Sequence, residues 1–196
     1  ARVRTLPADE RVALMRAYVG ERANRRHKPG RAFERTYYRF DVLGDYGAFR
    51  DLQRHRMLTI EWQALSPRHG YAIPGAVHEA GLAGRFDDAM QRSAGLYGAL
   101  VDPFPAEASY GVSLAYRVRY VMQMNAREAM HLCELRSSVQ GHPTYRTVAQ
   151  AMHTLIAERA GHRAIAAAMS HVDHATYELE RLSAERAAEA RRAARG

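Results

Sequence analysis

Arginine, histidine and serine side chains cluster in one stretch near the end of the first third of the chain. Arg54-His55-Arg56 precedes the apolar alternation MLTIEWQAL, and Ser66-Pro67-Arg68 follows it. Paired guanidinium groups suit two-point contacts with phosphate oxygens. Arginines at the end of a short helix, however, often cap its carbonyl groups and face solvent. The local pattern therefore indicates an anion site and leaves a charged rim as the alternative.

A second set of polar side chains lies in AEASYGVSLAYRVRYVMQMNAREAMHLCELRSS, residues 106–138. This stretch has no proline and one glycine, so we predict that it forms the longest helix of the chain and the central one. Asn125 and Arg136 are then close to three helical turns apart and share a face with Glu128. An amide and a guanidinium on one face indicate a polar cavity, while the alternative is a solvent face opposite packed methionines.

Composition limits the classes of function. A chain of 196 residues with 47% hydrophobic residues can bury the core of one domain. Its single cysteine excludes an internal disulfide framework and suits a reducing cytoplasm. The net charge of +8 favours an anionic partner, which could be a nucleotide, a polynucleotide or an acidic protein. Neither an apolar run of about 20 residues nor a signal-peptide pattern is present, so we expect no membrane partner and a cytoplasmic location.

The periodicity of apolar residues predicts an α+β fold, with a small antiparallel sheet and a helical bundle around the long central helix. We treat residues 1–196 as a single domain with a charged C-terminal helix at about residues 172–196. The predicted elements before the central helix are a helix over residues 8–26, a strand in FERTYYRFDVL, a short helix in DYGAFRDLQRHR, a strand in MLTIEWQAL and a helix from Gly84 onward.

Four short motifs, taken in order, resemble those of the flavin-dependent thymidylate synthases over most of the chain, from about residue 9 to about residue 153. Their order and spacing are more specific than any one of them. The family's Ser-x-Arg motif fits only if the stretch before it is two residues longer here. The matching motifs are Ala32-Phe33-Glu34 (proline-phenylalanine-glutamate in the family), Arg54-His55-Arg56, Ser66-Pro67-Arg68, and Asn125-Ala126-Arg127 followed by Leu135-Arg136.

The resemblance implies a homotetramer that binds FAD at subunit interfaces and methylates C5 of dUMP with methylenetetrahydrofolate and NADPH. It also implies that the flavin carries the hydride chemistry, so that no cysteine nucleophile is needed and Cys133 is a small apolar filler. Arg136 falls on the family's principal catalytic and substrate-orienting position. The implied cofactor-binding residues are Arg31, Glu34, Arg54, His55, Arg56, Asn125, Arg127 and His131; the implied substrate-binding residues are Arg54, Ser66, Arg68 and Arg136.

Several positions depart from the family pattern. His131 replaces the usual asparagine, and Pro29 and Arg31 replace a His-x-Thr element. Gln140-Gly141-His142 replaces His-Ala-Gln after Arg136. Three outcomes fit this divergent member or module of a longer chain. It is an active synthase with a remodelled loop, a methylase of another uracil nucleotide such as UMP, or a degenerate module that serves in oligomerisation or supports a partner module.

Parts of the sequence are also compatible with two other classes of function, a metal site and a nucleic-acid binder. His171 and His174 lie one turn apart with Asp173 between them, and His162 precedes them, a set that can bind zinc. The same segment is equally typical of the start of a helix, so we expect no metal. A nucleic-acid binder needs a basic stripe and an element that enters a groove. The arginines are explained more economically as surface beside a nucleotide site, so we do not expect nucleic acid as a partner.

Overall fold

The computed structural model describes residues 5–176 and 181–193. These residues form an α+β fold with eight α-helices and one three-stranded antiparallel sheet, which confirms the predicted fold class. The strands are β1 (Tyr37–Asp45), β2 (Leu58–Trp62) and β3 (Arg117–Asn125). The helices are α1 (Ala8–Val19), α2 (Tyr46–Leu52), α3 (Gly75–Glu79), α4 (Ala83–Leu100), α5 (Ala126–Arg136), α6 (Pro143–Glu158), α7 (Arg163–Ala168) and α8 (Arg181–Ala193).

Strand β3 is the middle strand of the sheet, which has the order β1-β3-β2. The backbone N–H of Tyr46 donates to the Tyr116 carbonyl over 2.9 Å, and that of Ala126 donates to the Thr36 carbonyl over 2.8 Å. The partner numbers fall as the residue numbers rise, as antiparallel pairing requires. The two strands predicted from alternation, in FERTYYRFDVL and MLTIEWQAL, are thereby confirmed as β1 and β2.

The prediction of one long central helix over residues 106–138 is wrong. Residues 117–125 form strand β3, and a helix, α5, begins only at Ala126. The alternation of polar with large apolar side chains has the period of two that a half-buried strand requires, and it decides the structure here. The absence of proline does not separate a helix from a strand. The residues of β3 that point into the interior and are buried are Val118, Tyr120, Met122 and Met124.

Helix α1 is shorter than the helix predicted over residues 8–26. It ends at Val19, where Gly20 adopts a φ of 66° that other residues rarely take. None of its residues is buried. The chain after Gly20 therefore leaves the helix, and Arg22 turns inward instead of extending the helical surface.

The chain divides into two compact units. The first comprises Ala1–Phe40, His55–Thr59 and Gln123–Gly196. Its interior is formed by buried side chains of α5, α6 and α7, and it includes one buried ion pair, Arg22 with Glu134. The buried apolar side chains of these helices include Met130, Leu132, Cys133, Met152, Ile156 and Ile165.

The second unit comprises Asp41–Arg54 and Ile60–Met122. Met90, Val112 and Tyr116 form its buried cluster, and the Tyr116 hydroxyl donates to the Met90 carbonyl over 2.7 Å. Helix α2 buries Phe49 and Leu52. Its N-cap, Asp45, accepts a hydrogen bond from the backbone of the first turn.

The predicted charged C-terminal helix lies partly outside the described residues. Helix α8 occupies Arg181–Ala193, whereas residues 177–180 and 194–196 are not described. The organisation of residues 1–196 as a single domain stays a prediction. Among the described residues, no helix combines the length and the apolar character needed to cross a membrane.

Candidate functional site

Helix α5 and the residue before it carry four of the predicted site residues. Asn125 is the N-cap: its side-chain oxygen accepts the backbone N–H of Glu128 over 2.9 Å. This contact satisfies one of the free N–H groups at the start of the helix. Because the amide oxygen serves the cap, the NH₂ group is the end of Asn125 that can donate to a ligand.

His55, Glu128 and Arg136 form a hydrogen-bonded row in the first unit. His55 Nδ1 lies 2.9 Å from Glu128 Oε1, and Arg136 Nε donates to His55 Nε2 over 3.1 Å. The His55 side chain is buried, with an exposure of 4%, and the Glu128 side chain is partly buried, with an exposure of 10%. Arg136 also lies over the ring of Tyr145, with 5.4 Å from the guanidinium carbon to the ring centroid, which is cation–π distance. The predicted catalytic arginine is thus held by side chains from two directions.

His131 faces the same row, with its ring centroid 5.4 Å from that of His55. Burial lowers the pKa of His131, against the opposing effect of Glu128, and the neighbouring His55, Lys28 and Arg25 lower it further. The imidazole is therefore held neutral, and it can both donate and accept a hydrogen bond.

Arg127 joins helix α5 to the 3₁₀ turn at Arg31–Arg35. Its Nε donates to the Pro29 carbonyl over 3.0 Å, and its guanidinium lies 3.0 Å from Glu34 Oε1. Glu34 also accepts from Arg31, whose Nε lies 3.0 Å from Oε2. The hydrogen bond from Arg31, with the charges of both arginines, lowers the pKa of Glu34. One carboxylate thus bridges two guanidinium groups that the sequence assigned to the cofactor.

Arg56 is exposed, next to the buried His55. The first unit therefore contains eight of the predicted site residues. The contacts above join seven of them, directly or through Glu128, in two groups; all are joined by hydrogen bonds except His131, which makes a ring contact with His55. The first group is His55, Asn125, His131 and Arg136, and the second is Arg31, Glu34 and Arg127.

The remaining predicted residues lie in the second unit. The Arg54 guanidinium is exposed and lies 3.8 Å from Asp51. Ser66 is buried at 6% exposure, and among the described residues its hydroxyl has no hydrogen-bond partner. Arg68 is exposed in the 3₁₀ turn at Pro67–His69. A buried hydroxyl without a partner is uncommon, and a ligand that hydrogen-bonds to Ser66 would satisfy it.

Glu128 is the site residue to which the sequence interpretation gave no role. The available signal was its position, since it shares a helix face with Asn125 and Arg136. Its contact with His55 joins residues that are 73 positions apart, and helical spacing carries no information about such a contact.

The described histidines form one group that could hold a metal ion, and it is not the group considered from the sequence. Ligand atoms of His55, Glu128 and His131 lie within 4.8 Å of one another. The nearby cations Arg136, Lys28 and Arg25 oppose a divalent ion there. The histidines near residue 170 have separate partners: His162 meets Tyr38, His171 meets the Arg22 carbonyl and His174 meets His153.

Comparison with known proteins found one family and several relatives. A family model described as thymidylate synthase complementing protein matches residues 5–161. A UPF0159 protein of Chlamydia pneumoniae is 44% identical over 144 residues, covering 74% of this chain and 27% of the relative. UPF0159 proteins of Chlamydia muridarum and Thermoplasma acidophilum are 37% and 36% identical, covering 93% and 94% of this chain but 34% and 37% of themselves. The chain spans about a third of the length of these relatives.

Proposed function

Because this chain belongs to the thymidylate synthase complementing protein family, we propose that it methylates a uracil nucleotide at C5 in a flavin-dependent reaction of nucleotide biosynthesis. The substrate is dUMP and the product dTMP, with methylenetetrahydrofolate as the one-carbon donor. Moving a methylene-level carbon to a methyl group takes two electrons, which NADPH provides. The observation that carries the proposal is the family match, since residues 5–161 include every predicted site residue.

FAD, when bound, supplies the hydride-transfer chemistry, so the chain's own residues bind, orient and exclude water. A nucleophilic cysteine is not required, and Cys133 is unsuited to be one. It is fully buried in α5, and burial raises the pKa of its thiol to about 12. This lone cysteine also suits a reaction in the reducing cytoplasm.

The side chains of the first unit fit a flavin dinucleotide. Its pyrophosphate is an anion, and guanidinium groups at the surface suit it through paired N–H donors. Arg56 and Arg31 are exposed, and Arg127 is about one-third exposed. The Asn125 amide and the neutral His131 ring add uncharged hydrogen-bonding groups of the kind that a flavin ring system needs. The resemblance also assigns Arg54 to the flavin, and the guanidinium of Arg54 is exposed.

We propose, as the family resemblance implies, that Arg136, Ser66, Arg68 and Arg54 bind the uracil nucleotide. Arg136 supplies positive charge on a side chain whose direction is fixed by His55 and Tyr145. The unpartnered Ser66 hydroxyl supports a polar ligand at that position. Arg68 is exposed and suits a phosphate.

We propose that the active form is a homotetramer, as the family resemblance implies. Large apolar side chains are exposed in the second unit, among them Trp62 at 56% and Tyr110 at 89%. Such exposure supports burial in an assembly. Light scattering on the purified protein measures the mass directly.

A non-catalytic module is the second candidate, and one observation favours it. Glu34 pairs with Arg31 and Arg127, and Glu128 engages the histidine that contacts Arg136. A ligand phosphate must compete with these carboxylates. A module that serves only in assembly binds no phosphate, so these contacts of Glu34 and Glu128 can stay intact.

The test combines flavin absorption with product analysis. We expect the purified protein to bind FAD, to show a flavin band that changes on adding dUMP, and to form dTMP when methylenetetrahydrofolate and NADPH are present. Arg127→Ala should weaken FAD binding by about tenfold or more, the size expected for a charged hydrogen bond. The control is Arg159→Ala, which removes an exposed arginine at the end of α6.

The outcomes separate the candidates. Flavin binding with a response to UMP but not dUMP would change the substrate and keep the chemistry. A folded oligomer that binds no flavin would overturn the enzymatic proposal and favour the non-catalytic module.

A further inference from the structure

The row His55–Glu128–Arg136 constrains where the protons of the imidazole lie. A guanidinium carries N–H donors and no acceptor, so His55 Nε2 must accept the hydrogen bond from Arg136 Nε. The ring proton is then on Nδ1, which donates to Glu128 Oε1 over 2.9 Å. A carboxylate in this position favours the Nδ1–H tautomer over the alternative.

We propose that Glu128 is a positioning residue: it holds His55 in the tautomer whose Nε2 lone pair directs Arg136 toward the bound nucleotide. The inference about the tautomer stands on these contacts alone, whereas the nature of the ligand rests on the proposed function. Glu128 does not touch the substrate. It acts on Arg136 indirectly, through its contact with His55.

Burial makes this arrangement effective. The His55 and Glu128 side chains are 4% and 10% exposed, so little water competes for the ring nitrogens. The ring centroid of the neighbouring His131 is 5.4 Å away, and the pKa of His131 is lowered, chiefly by burial, which keeps this ring neutral. A neutral His131 adds no second positive charge beside His55 and Arg136. Tyr145 restrains the guanidinium from another side.

Two members of this row, His55 and Glu128, together with His131, allow a different interpretation, in which the three side chains bind a metal ion. The two interpretations place the imidazole proton differently. A metal bound at His55 Nδ1 needs the lone pair of that nitrogen, and the proton then moves to Nε2, where Arg136 could no longer donate. The tautomer of His55 therefore distinguishes a positioning role from a metal-ligand role.

The first experiment measures the tautomer by ¹⁵N NMR of the histidine-labelled protein, with His55→Gln assigning the signal. We expect protonated Nδ1 and unprotonated Nε2 in the wild type and in Glu128→Gln, whose amide oxygen still accepts from Nδ1. Glu128→Leu, similar in volume but without an acceptor, should shift the population toward Nε2–H. A wild-type ring with its proton on Nε2, or stoichiometric zinc binding that Glu128→Leu abolishes, would overturn the proposal.

The second experiment measures dUMP affinity of the FAD-loaded protein by calorimetry, in a double-mutant cycle. Glu128→Leu should weaken dUMP binding about tenfold when Arg136 is present. It should leave dUMP binding unchanged in the Arg136→Ala background, since the effect passes through that arginine. Equal losses in both backgrounds would show a merely structural role and contradict the proposal. Glu158→Leu, at an exposed position on α6, is the control.

The two experiments separate failure of this inference from failure of the proposed function. If the wild type binds neither dUMP nor UMP, the proposed function fails, and the NMR result still decides whether Glu128 sets the tautomer. If Glu128→Leu does not fold, Glu128→Gln decides. It should keep the Nδ1–H tautomer and a dUMP affinity within about threefold of wild type, and loss of either contradicts the proposal.

Discussion

At the scale of single residues, Arg22 and Glu134 show how this fold uses an ion pair inside the first unit. Two hydrogen bonds of 2.6 Å join the guanidinium and the carboxylate, whose side chains are 3% and 1% exposed. Arg22 also donates to the Ala168 carbonyl over 2.8 Å. Buried ions lose hydration, and only a partner with further hydrogen bonds offsets that loss. The pair fixes the segment after α1 against α5 and the end of α7.

Removing the carboxylate should therefore be costly. We expect Glu134→Ala to lower the free energy of unfolding by about 3–5 kcal/mol, because it leaves a buried guanidinium without its counter-ion. Urea unfolding followed by circular dichroism measures the change. The control is Arg119→Ala, which breaks the exposed pair with Asp41 and should cost no more than about 1 kcal/mol. Similar losses in the two variants would show that burial does not govern these pairs.

At the scale of elements, most of the secondary structure follows from local periodicity. Alternation predicts β1 and β2, and apolar spacing predicts α4. The failure at β3 has a physical cause: a central strand and a buried helix both lack proline and glycine, and only the period separates them. The strand period of two persists for nine residues in RVRYVMQMN. This alternation should be given more weight in a prediction than the helical pattern that follows it.

The candidate site is less predictable than the elements, because its contacts join distant parts of the chain. Arg136 meets His55 across 81 residues, and Arg127 meets Glu34 across 93. Local spacing places Asn125, Glu128 and Arg136 on one face of α5, but it cannot show which side chains lie opposite. The family resemblance supplied the residues, and the tertiary contacts add Glu128.

Asn125 combines an element-scale role with a site role, and two substitutions separate them. Asn125→Asp keeps an oxygen to cap α5 and removes the NH₂ donor, so we expect near wild-type stability with weakened FAD binding. Asn125→Ala removes both, and should also lose about 1 kcal/mol of unfolding free energy. Thermal unfolding and flavin titration of both variants measure the two effects. Full FAD binding by Asn125→Asp would remove this residue from the cofactor site.

At the scale of the whole molecule, the basic charge is almost entirely arginine. Lys28 is the single lysine among 29 basic residues. Arginine stays protonated in proteins, so the positive charge persists into the alkaline range. The groups that titrate there are chiefly tyrosines and Cys133. Burial raises the pKa of Cys133 from 9.0 to about 12 and that of Tyr38 from 10.0 to about 12. The pKa values of Tyr116 and Tyr120 are raised for the same reason.

These shifts set the sign of alkaline stability. Above pH 9 the unfolded chain loses protons that the folded protein keeps, so stability falls as pH rises. We expect the free energy of unfolding to be unaffected by these groups below about pH 9 and to decline from there to about pH 12, the range set by Cys133 and Tyr38. Urea unfolding at a series of pH values measures it. Cys133→Ala combined with Tyr38→Phe should start from a lower stability, since buried atoms are lost, yet decline less steeply. An unchanged slope in that variant would place the alkaline sensitivity in other groups.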